Sequence, residues 1–159
     1  MLQPAPVQSV YIRYLLPAQN GMLASEVNWA ADSRNVETAA GIGFGLAVSQ
    51  GVADAGCIIG GSAFVGITRA DITLARADIT PPLTVDVYPQ YAVAGILVMG
   101  DLWVIPDNAV VAGEAVYYSS TTGKLGHSGG TVIEDARWMT SAAAGGLAVV
   151  RLGNIAGNK

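Results

Sequence analysis

Charged side chains are scarce in this sequence. Only 13% of its 159 residues are Asp, Glu, Lys or Arg, against about 25% in an average soluble domain. Lysine occurs only at Lys124 and Lys159, and the net charge is −4. Nucleic-acid binding needs a basic surface that displaces counterions from phosphates, so we expect no nucleic-acid partner. So few charges also leave much of a monomer's surface apolar, and we expect a homo-oligomer or a subunit of a larger assembly.

Cysteine and histidine each occur once. The single cysteine, Cys57, excludes an internal disulfide framework and a Cys-based zinc cage, and its apolar neighbours predict a small buried side chain. The single histidine, His127, lies in the flexible segment Gly126–Gly130. A Ser128 nucleophile would require a base on a separate element, because chain neighbours are not expected to meet in catalytic geometry. We expect no enzyme activity.

Motifs for cofactors and metals are also missing. The glycines of Gly41–Gly45 lead into a predicted strand, whereas a dinucleotide-binding loop opens a helix. The aspartates never form the spacing of a calcium loop. We therefore expect neither a metal nor a cofactor.

Long hydrophobic runs are absent despite a mean hydropathy of +0.44. The run Ala92–Gly100 is about half of the roughly 20 residues that span a bilayer. No basic residue precedes the apolar patch near the N-terminus, as a secretory signal would require. We expect synthesis in the cytoplasm and no membrane partner.

Glycine and proline are plentiful, with 20 and seven residues spread along the chain. Short runs rich in Val, Ile, Ala and aromatics lie between them, which is typical of an all-β protein. The clearest predicted strands are Phe44–Ser49, Ala63–Arg69, Thr84–Tyr88, Ala92–Met99, Leu102–Ile105, Ala115–Ser119, Ala136–Thr140 and Leu147–Leu152.

Turn signals connect several of these strands. Ser120–Lys124 places a glycine where a tight turn needs a positive φ, and Ala142–Gly146 predicts a terminal hairpin. Met99–Asp101 predicts a bend between two strands. Val27–Ala40 is the nearest candidate for a helix, but Asn28, Asn35 and Thr38 weaken it, so we expect it to be irregular and partly extended.

The first 20 residues differ from the rest. Pro4, Pro6 and Pro17 favour extended backbone, and between them lies the β-prone, almost uncharged segment Val10–Leu16. Exposed alone, such a segment would aggregate, so we expect it to pair with its own sheet or with a neighbouring subunit. The chain thus divides into an extended arm (1–20) and one β-rich domain (21–159).

A five-residue sequence occurs twice. Arg69–Thr73 repeats as Arg76–Thr80, seven residues later. The odd spacing would put the copies on opposite faces of a strand. The repeat is either a local duplication in a surface loop or a protruding loop whose charges contact a partner. Those charges are Arg69, Asp71, Arg76 and Asp78.

The tryptophans allow two interpretations. Trp29, Trp103 and Trp138 have apolar neighbours, which favours positions in the core or at an interface. Exposed together in one groove, they would instead indicate a carbohydrate- or receptor-binding β module. We expect Trp103 and Trp138 to lie within the β body.

The C-terminal region closely resembles the ending of tailed-phage structural cement proteins, in the stretch Asp135–Val150. Four shorter stretches resemble further parts of that family in the same order, so that the resemblance covers most of the chain from Gly41 to Leu152. They are Ile42–Val48, Phe64–Ile67, Gly100–Val104 and Val111–Tyr117.

The resemblance implies a compact β-sandwich or β-tulip-like body without catalysis. It also implies symmetric oligomers, with trimers favoured over dimers, on the outside of a shell of HK97-fold major capsid proteins. The family usually carries a basic residue before the Gly-x-x-Trp-Val stretch, whereas this chain has Met99 and then Asp101. The repeat and the apolar arm are further departures from the family pattern. Candidate capsid contacts are the charges of the repeat and six arm residues. The arm residues are Val10, Tyr11, Ile12, Tyr14, Leu15 and Leu16.

Overall fold

The computed structural model describes residues 18–71, 73 and 86–153. Every regular element in this part of the chain is a strand, which confirms the all-β prediction. The strands are β1 (Ala30–Val36), β2 (Ile42–Gly43), β3 (Ala47–Gln50), β4 (Gly56–Ile59), β5 (Phe64–Thr68), β6 (Val87–Tyr88), β7 (Val93–Val104), β8 (Ala115–Tyr118), β9 (Leu125–Gly126), β10 (Thr131–Trp138) and β11 (Ala148–Leu152).

Five strands close into a ring in the order β1-β4-β3-β5-β7, because β1 also pairs with β7. The β1–β4 pairing is parallel and the other four are antiparallel. Ring closure leaves these strands without a free edge over their paired residues. The ring forms the rigid half of the body.

The long strand β7 belongs to two parts of the fold. Its first half completes the ring, and its second half pairs with β11 in an open antiparallel sheet of order β7-β11-β10-β8-β9. The short strands β2 and β6 form a separate pair. One strand therefore fixes the ring and the open sheet against each other.

Side-chain alternation along the strands produces two apolar cores. Val48 and Ile96 belong to one core with Val36 and Tyr88, while the neighbouring Leu97 belongs to the other. Successive strand residues point to opposite faces, so the ring strands contribute to both cores. The second core is centred on Trp138, the largest fully buried side chain of the described residues.

Two predicted hairpins are confirmed. Gly123 adopts a φ of +68° in the β8–β9 connection, where Gly123 N–H also donates to the Ser119 carbonyl at 2.8 Å. β10 and β11 pair antiparallel at the C-terminal end, as Trp138 lies opposite Val150.

The predicted bend at Met99–Asp101 is wrong, because β7 runs unbroken through it. Gly100 has a φ of +127°, which glycine adopts readily, and it pairs with Leu152 of β11, so the strand continues. A Cβ at Gly100 would lie 2.8 Å from the Trp29 Cβ. The glycine therefore permits a close approach rather than a turn.

The segment Val27–Ala40, predicted as partly extended, contains the regular strand β1. The backbone of β1 pairs with β4 and with β7, yet several of its side chains are exposed. The alternation of apolar and polar residues along β1 is therefore weak. Strand β4 was not predicted, although Cys57 within it is fully buried as expected. No helix among the described residues is long and apolar enough to cross a membrane.

Candidate partner-binding surfaces

The arm residues proposed as contacts, Val10 to Leu16, lie outside the described residues, as do Arg76 and Asp78. The chain that follows the arm is firmly attached to the body. Gly21 N–H donates to the Trp103 carbonyl at 2.7 Å, and Trp103 N–H donates to the Met22 carbonyl at 2.8 Å. Residues 21–24 thus run along the free side of β7 and fix the point from which the arm departs.

Asn20 strengthens this attachment. Its Nδ2 donates to the Phe44 carbonyl at 2.8 Å, and its Oδ1 accepts from Ile105 N–H at 3.1 Å. Ala18, at the start of the described chain, is 7% exposed. The body therefore holds the chain from Ala18 onward.

Arg69 of the repeat is directed toward an aromatic side chain. Its guanidinium carbon lies 4.6 Å from the Trp29 ring centroid, a cation–π contact, and its carbonyl accepts from the Tyr88 hydroxyl at 2.9 Å. The structure thus gives Arg69 a role in joining β1, β5 and β6.

Asp71 of the repeat closes a local turn. Its Oδ1 accepts from Thr73 N–H at 2.9 Å and from the Thr73 hydroxyl at 2.7 Å. These hydrogen bonds hold the pKa of Asp71 below its usual value. Such an Asx turn is typical of a surface loop.

A rigid apolar loop at one end of the ring was missed by the sequence analysis. It connects β3 to β4 and carries Val52, which is 99% exposed. Both oxygens of Glu37 accept hydrogen bonds from this loop, from Val52 N–H at 2.7 Å and Ala53 N–H at 2.8 Å. These two bonds lower the pKa of Glu37. The amide of Gln50 donates across the loop to the Ala53 carbonyl at 2.7 Å.

Tyr91 lies at the same end of the ring and is 80% exposed. Its φ of +67° is in the left-handed region, which costs an aromatic residue roughly 1–2 kcal/mol. Tyr91 N–H donates to the Val36 carbonyl at 2.8 Å, and the Gln90 amide donates to the Glu37 carbonyl at 3.2 Å. The strained residue is thereby held to the end of β1.

The tryptophans do not form a shared platform. Trp138 is fully buried and donates its indole N–H to the Gly126 carbonyl at 3.3 Å. Trp103 lies in β7 and is partly buried, and Trp29 is 37% exposed beneath Arg69. The prediction that Trp103 and Trp138 belong to the β body is confirmed.

Ser128 and His127, which we did not expect to meet in catalytic geometry, are in contact, but the partner of the imidazole is an amide and not an acid. Ser128 Oγ lies 3.3 Å from His127 Nε2, and His127 Nδ1 lies 2.9 Å from Asn108 Oδ1. The same Asn108 oxygen accepts from the His127 backbone N–H at 2.9 Å. All contacts to Asn108 join one exposed loop to another, so we interpret the cluster as a loop clamp. In the described ranges, no group of three or more His, Cys, Asp or Glu could hold a metal ion.

A closed ring joined to an open antiparallel sheet, with surface loops fixed by hydrogen bonds, defines a rigid all-β structural module. Residues 7–153 match the family described as structural cement protein (E217 gp24/Pam3 gp6). The match covers well over half of the chain, so the chain belongs to the structural cement protein family. Membership supports a structural, capsid-associated role in a phage.

Two solved structures are similar to the chain to different degrees. A chain in the structure of the capsid of Myoviridae phage XM1 is similar with a TM-score of 0.67 and 17% identity, over 92% of this chain and 97% of that one. The head fiber gp8.5 N base of bacteriophage phi29 gives a TM-score of 0.46 and 11% identity, over 79% of this chain and 95% of that one. None of the curated proteins compared with the chain matches it.

Proposed function

We propose that this protein is a capsid cement protein that binds the outer surface of an HK97-fold phage head as a symmetric oligomer and stabilises the shell. The observation that carries the proposal is the family match over residues 7–153. The partners are the major capsid protein and further copies of the chain, with a trimer favoured over a dimer. The protein is synthesised in the host cytoplasm and acts without catalysis or cofactor.

The physical properties of the body support this role. A closed ring and two apolar cores give rigidity, so little conformational freedom is lost on binding. Ten large hydrophobic side chains are exposed among the described residues, and they provide apolar contact area for neighbours. They are Met22, Val27, Trp29, Val52, Tyr91, Val93, Val98, Ile105, Val111 and Val132.

Stabilisation of a shell follows from mass action. A protein that binds the mature shell, and not the dissociated one, shifts the equilibrium toward the mature state. A half-apolar contact of about 800 Å² per subunit contributes roughly 10 kcal/mol before association costs. Linking subunits into an oligomer raises the effective concentration of each further contact.

The arm provides a second contact in this proposal. Val10–Leu16 adds as an extended strand to a neighbouring subunit or to the shell, which satisfies its backbone and buries alternate side chains. The double substitution Ile12→Asp and Leu15→Asp should weaken shell attachment by a few kcal/mol while leaving the body folded. Pairing of the arm with its own sheet is the alternative.

Truncation separates the two arrangements. Because Ala18 and Asn20 belong to the body, the appropriate deletion removes residues 1–17. A truncated protein that folds but no longer binds the head supports the addition of the arm to a neighbouring subunit or to the shell. A truncated protein that reinforces heads as well as the full chain contradicts it.

Electron microscopy of heads with and without the protein tests the main proposal. We expect added density on the outer surface at symmetry-related positions that fits the ring and the open sheet. Heads without the protein should release their DNA at a lower temperature. Density confined to the head interior or to the tail would contradict the proposal. A carbohydrate-binding module is disfavoured, because Trp138 is buried and the indole ring of Trp29 carries Arg69.

A further inference from the structure

We propose that the end of the ring carries the anchor that enters the shell, an inference that rests on the proposed function. The anchor consists of Val52, Tyr91 and Val93, here called the Val52–Tyr91 tip. It binds in an apolar pocket on the capsid protein, and basic side chains surround that pocket. The three side chains are 99%, 80% and 62% exposed.

Glu37 brings the members of the tip together. Its carboxylate binds the Val52 N–H and its carbonyl accepts from Gln90, the residue before Tyr91. Val93 lies opposite Asn35 in the β1–β7 pairing, two residues from Glu37. Residues distant in sequence therefore present apolar side chains from one end of the ring.

The loop that carries Val52 is built around Glu37. Gly51 and Gly56 flank the carboxylate so closely that a Cβ on Gly51 would lie 2.5 Å from a Glu37 oxygen. The Arg34 guanidinium donates to the Gln50 amide oxygen and, at 3.3 Å, to the Asp54 carbonyl. An exposed loop with so many internal bonds presents Val52 in one conformation. Preorganisation of this kind reduces the entropy lost on binding.

Tyr91 provides an independent observation. Its left-handed backbone would suit glycine or asparagine, yet the position holds a large aromatic side chain that is 80% exposed. An exposed side chain in such a conformation contributes little to the fold that could offset the strain. Strained exposed residues occur at binding sites, and tyrosine is a frequent interface anchor.

The charged groups near the tip indicate which kind of partner it binds. Three carboxylates and one guanidinium belong to this end of the ring. Glu37 binds the loop that carries Val52, and Asp54 is an exposed residue of the same loop. Arg34 binds the loop at the Asp54 carbonyl, and its Nε lies 3.0 Å from Asp32. These groups give each tip a net charge of −2, so the tips of several copies would repel one another if they met at a symmetry axis. A basic pocket on a different protein complements this rim, so the partner is the shell rather than a second copy.

The test measures binding of the full-length chain to purified heads that lack it, by co-sedimentation. Val52→Asp and Tyr91→Gly should each weaken binding at least tenfold. Tyr91→Gly should also leave the melting temperature unchanged or raise it, because glycine relieves the left-handed strain. Thr121→Asp is the control, since Thr121 is an exposed residue of the β8–β9 connection and is not one of the exposed apolar side chains, and it should bind normally.

Each other outcome is decisive. Unchanged binding of both tip variants, or an equal loss in Thr121→Asp, overturns the inference. If Val52→Asp lowers the mass in light scattering toward one 16.2 kDa chain, the tip contacts a second copy and the inference is also overturned. If the unmodified chain does not bind heads, the proposed function itself fails, and the tip variants are not needed to show it.

Salt dependence tests the basic rim separately. The affinity of the unmodified chain should fall as salt rises, and Asp54→Asn should make the fall less steep. An affinity independent of salt would contradict the charge argument.

Discussion

Two buried tyrosines show how a single hydroxyl group decides what a core residue contributes. Tyr88 donates to the Arg69 carbonyl at 2.9 Å, and its oxygen lies 3.4 Å from Gly95 N. Burial raises the pKa of Tyr88, as it raises the pKa of the Cys57 thiol. The hydroxyl of Tyr118 is equally buried but has no hydrogen-bond partner among the described residues. An unpaired buried polar group lowers stability, whereas a paired one does not.

The two tyrosines therefore predict opposite effects of the same substitution. Tyr88→Phe should lower the free energy of unfolding by about 1–2 kcal/mol, since it leaves the Arg69 carbonyl unpaired. Tyr118→Phe should leave it unchanged or raise it by up to about 1 kcal/mol, because only an unpaired hydroxyl is removed. Urea unfolding of both variants measures the difference. An equal loss in both would show that Tyr118 has a partner.

At the scale of the element, side chains fix strands and loops to their neighbours. Asp101 of β7 and Arg151 of β11 lie directly opposite each other. The guanidinium binds both carboxylate oxygens at 2.7 Å, and this contact raises the pKa of Arg151. The Asp101 side chain is 11% exposed. Asp101 thus joins β7 to β11.

Removing this ion pair should destabilise the open sheet. Asp101→Ala leaves a partly buried guanidinium unpaired, and we expect a loss of about 1–3 kcal/mol in the free energy of unfolding. Asp107→Ala is the control, because its partner Lys124 is 3.1 Å away but both side chains are more than half exposed. The control should lose less than about 1 kcal/mol. Thermal or urea unfolding measures both variants. Similar losses in Asp101→Ala and Asp107→Ala would contradict a stabilising role of the Asp101–Arg151 ion pair.

The loop at Val52 should respond to acid. The hydrogen bonds from Val52 and Ala53 lower the pKa of Glu37, so the ionised carboxylate stabilises the folded loop. This contribution is fully present above the ordinary pKa of a glutamate and is lost as the pH falls from there through the lowered pKa of Glu37. Nuclear magnetic resonance should show the amide protons of Val52 and Ala53 shifting together in that range.

Glu37→Gln serves as the control for this titration. Its amide oxygen replaces only one of the two acceptors, so one loop N–H loses its partner and the acid-dependent shift disappears. If Val52 and Ala53 still titrate in Glu37→Gln, another group is responsible.

At the scale of the whole molecule, low charge and exposed apolar side chains predict self-association. We expect the purified protein to form a homo-oligomer, with a trimer favoured, when light scattering measures its mass at micromolar concentration. The apolar surface outside the Val52–Tyr91 tip is the source of this contact. A mass near 16.2 kDa would contradict the prediction, and variants of the tip should leave the mass unchanged.

The sequence by itself determined the all-β class, the terminal hairpin and the turn at Gly123. These features depend on local signals, namely glycine conformation and the alternation of apolar residues. The stretch Asp135–Val150 also sufficed to indicate the cement protein family, which the match over residues 7–153 confirms. Trp138 was predicted in the β body for the same local reason, its apolar neighbours.

Only the tertiary structure decided how the strands close and what they bring together. Gly100 within β7 leaves room for the close approach of Trp29, which lies some 70 residues earlier. The ring depends on β1 pairing with both β4 and β7. Glu37, Val52 and Tyr91 meet through that closure. The alternation of apolar and polar residues along a strand is the same whichever strand pairs with it. The sequence of one strand therefore does not indicate which distant strand is its neighbour.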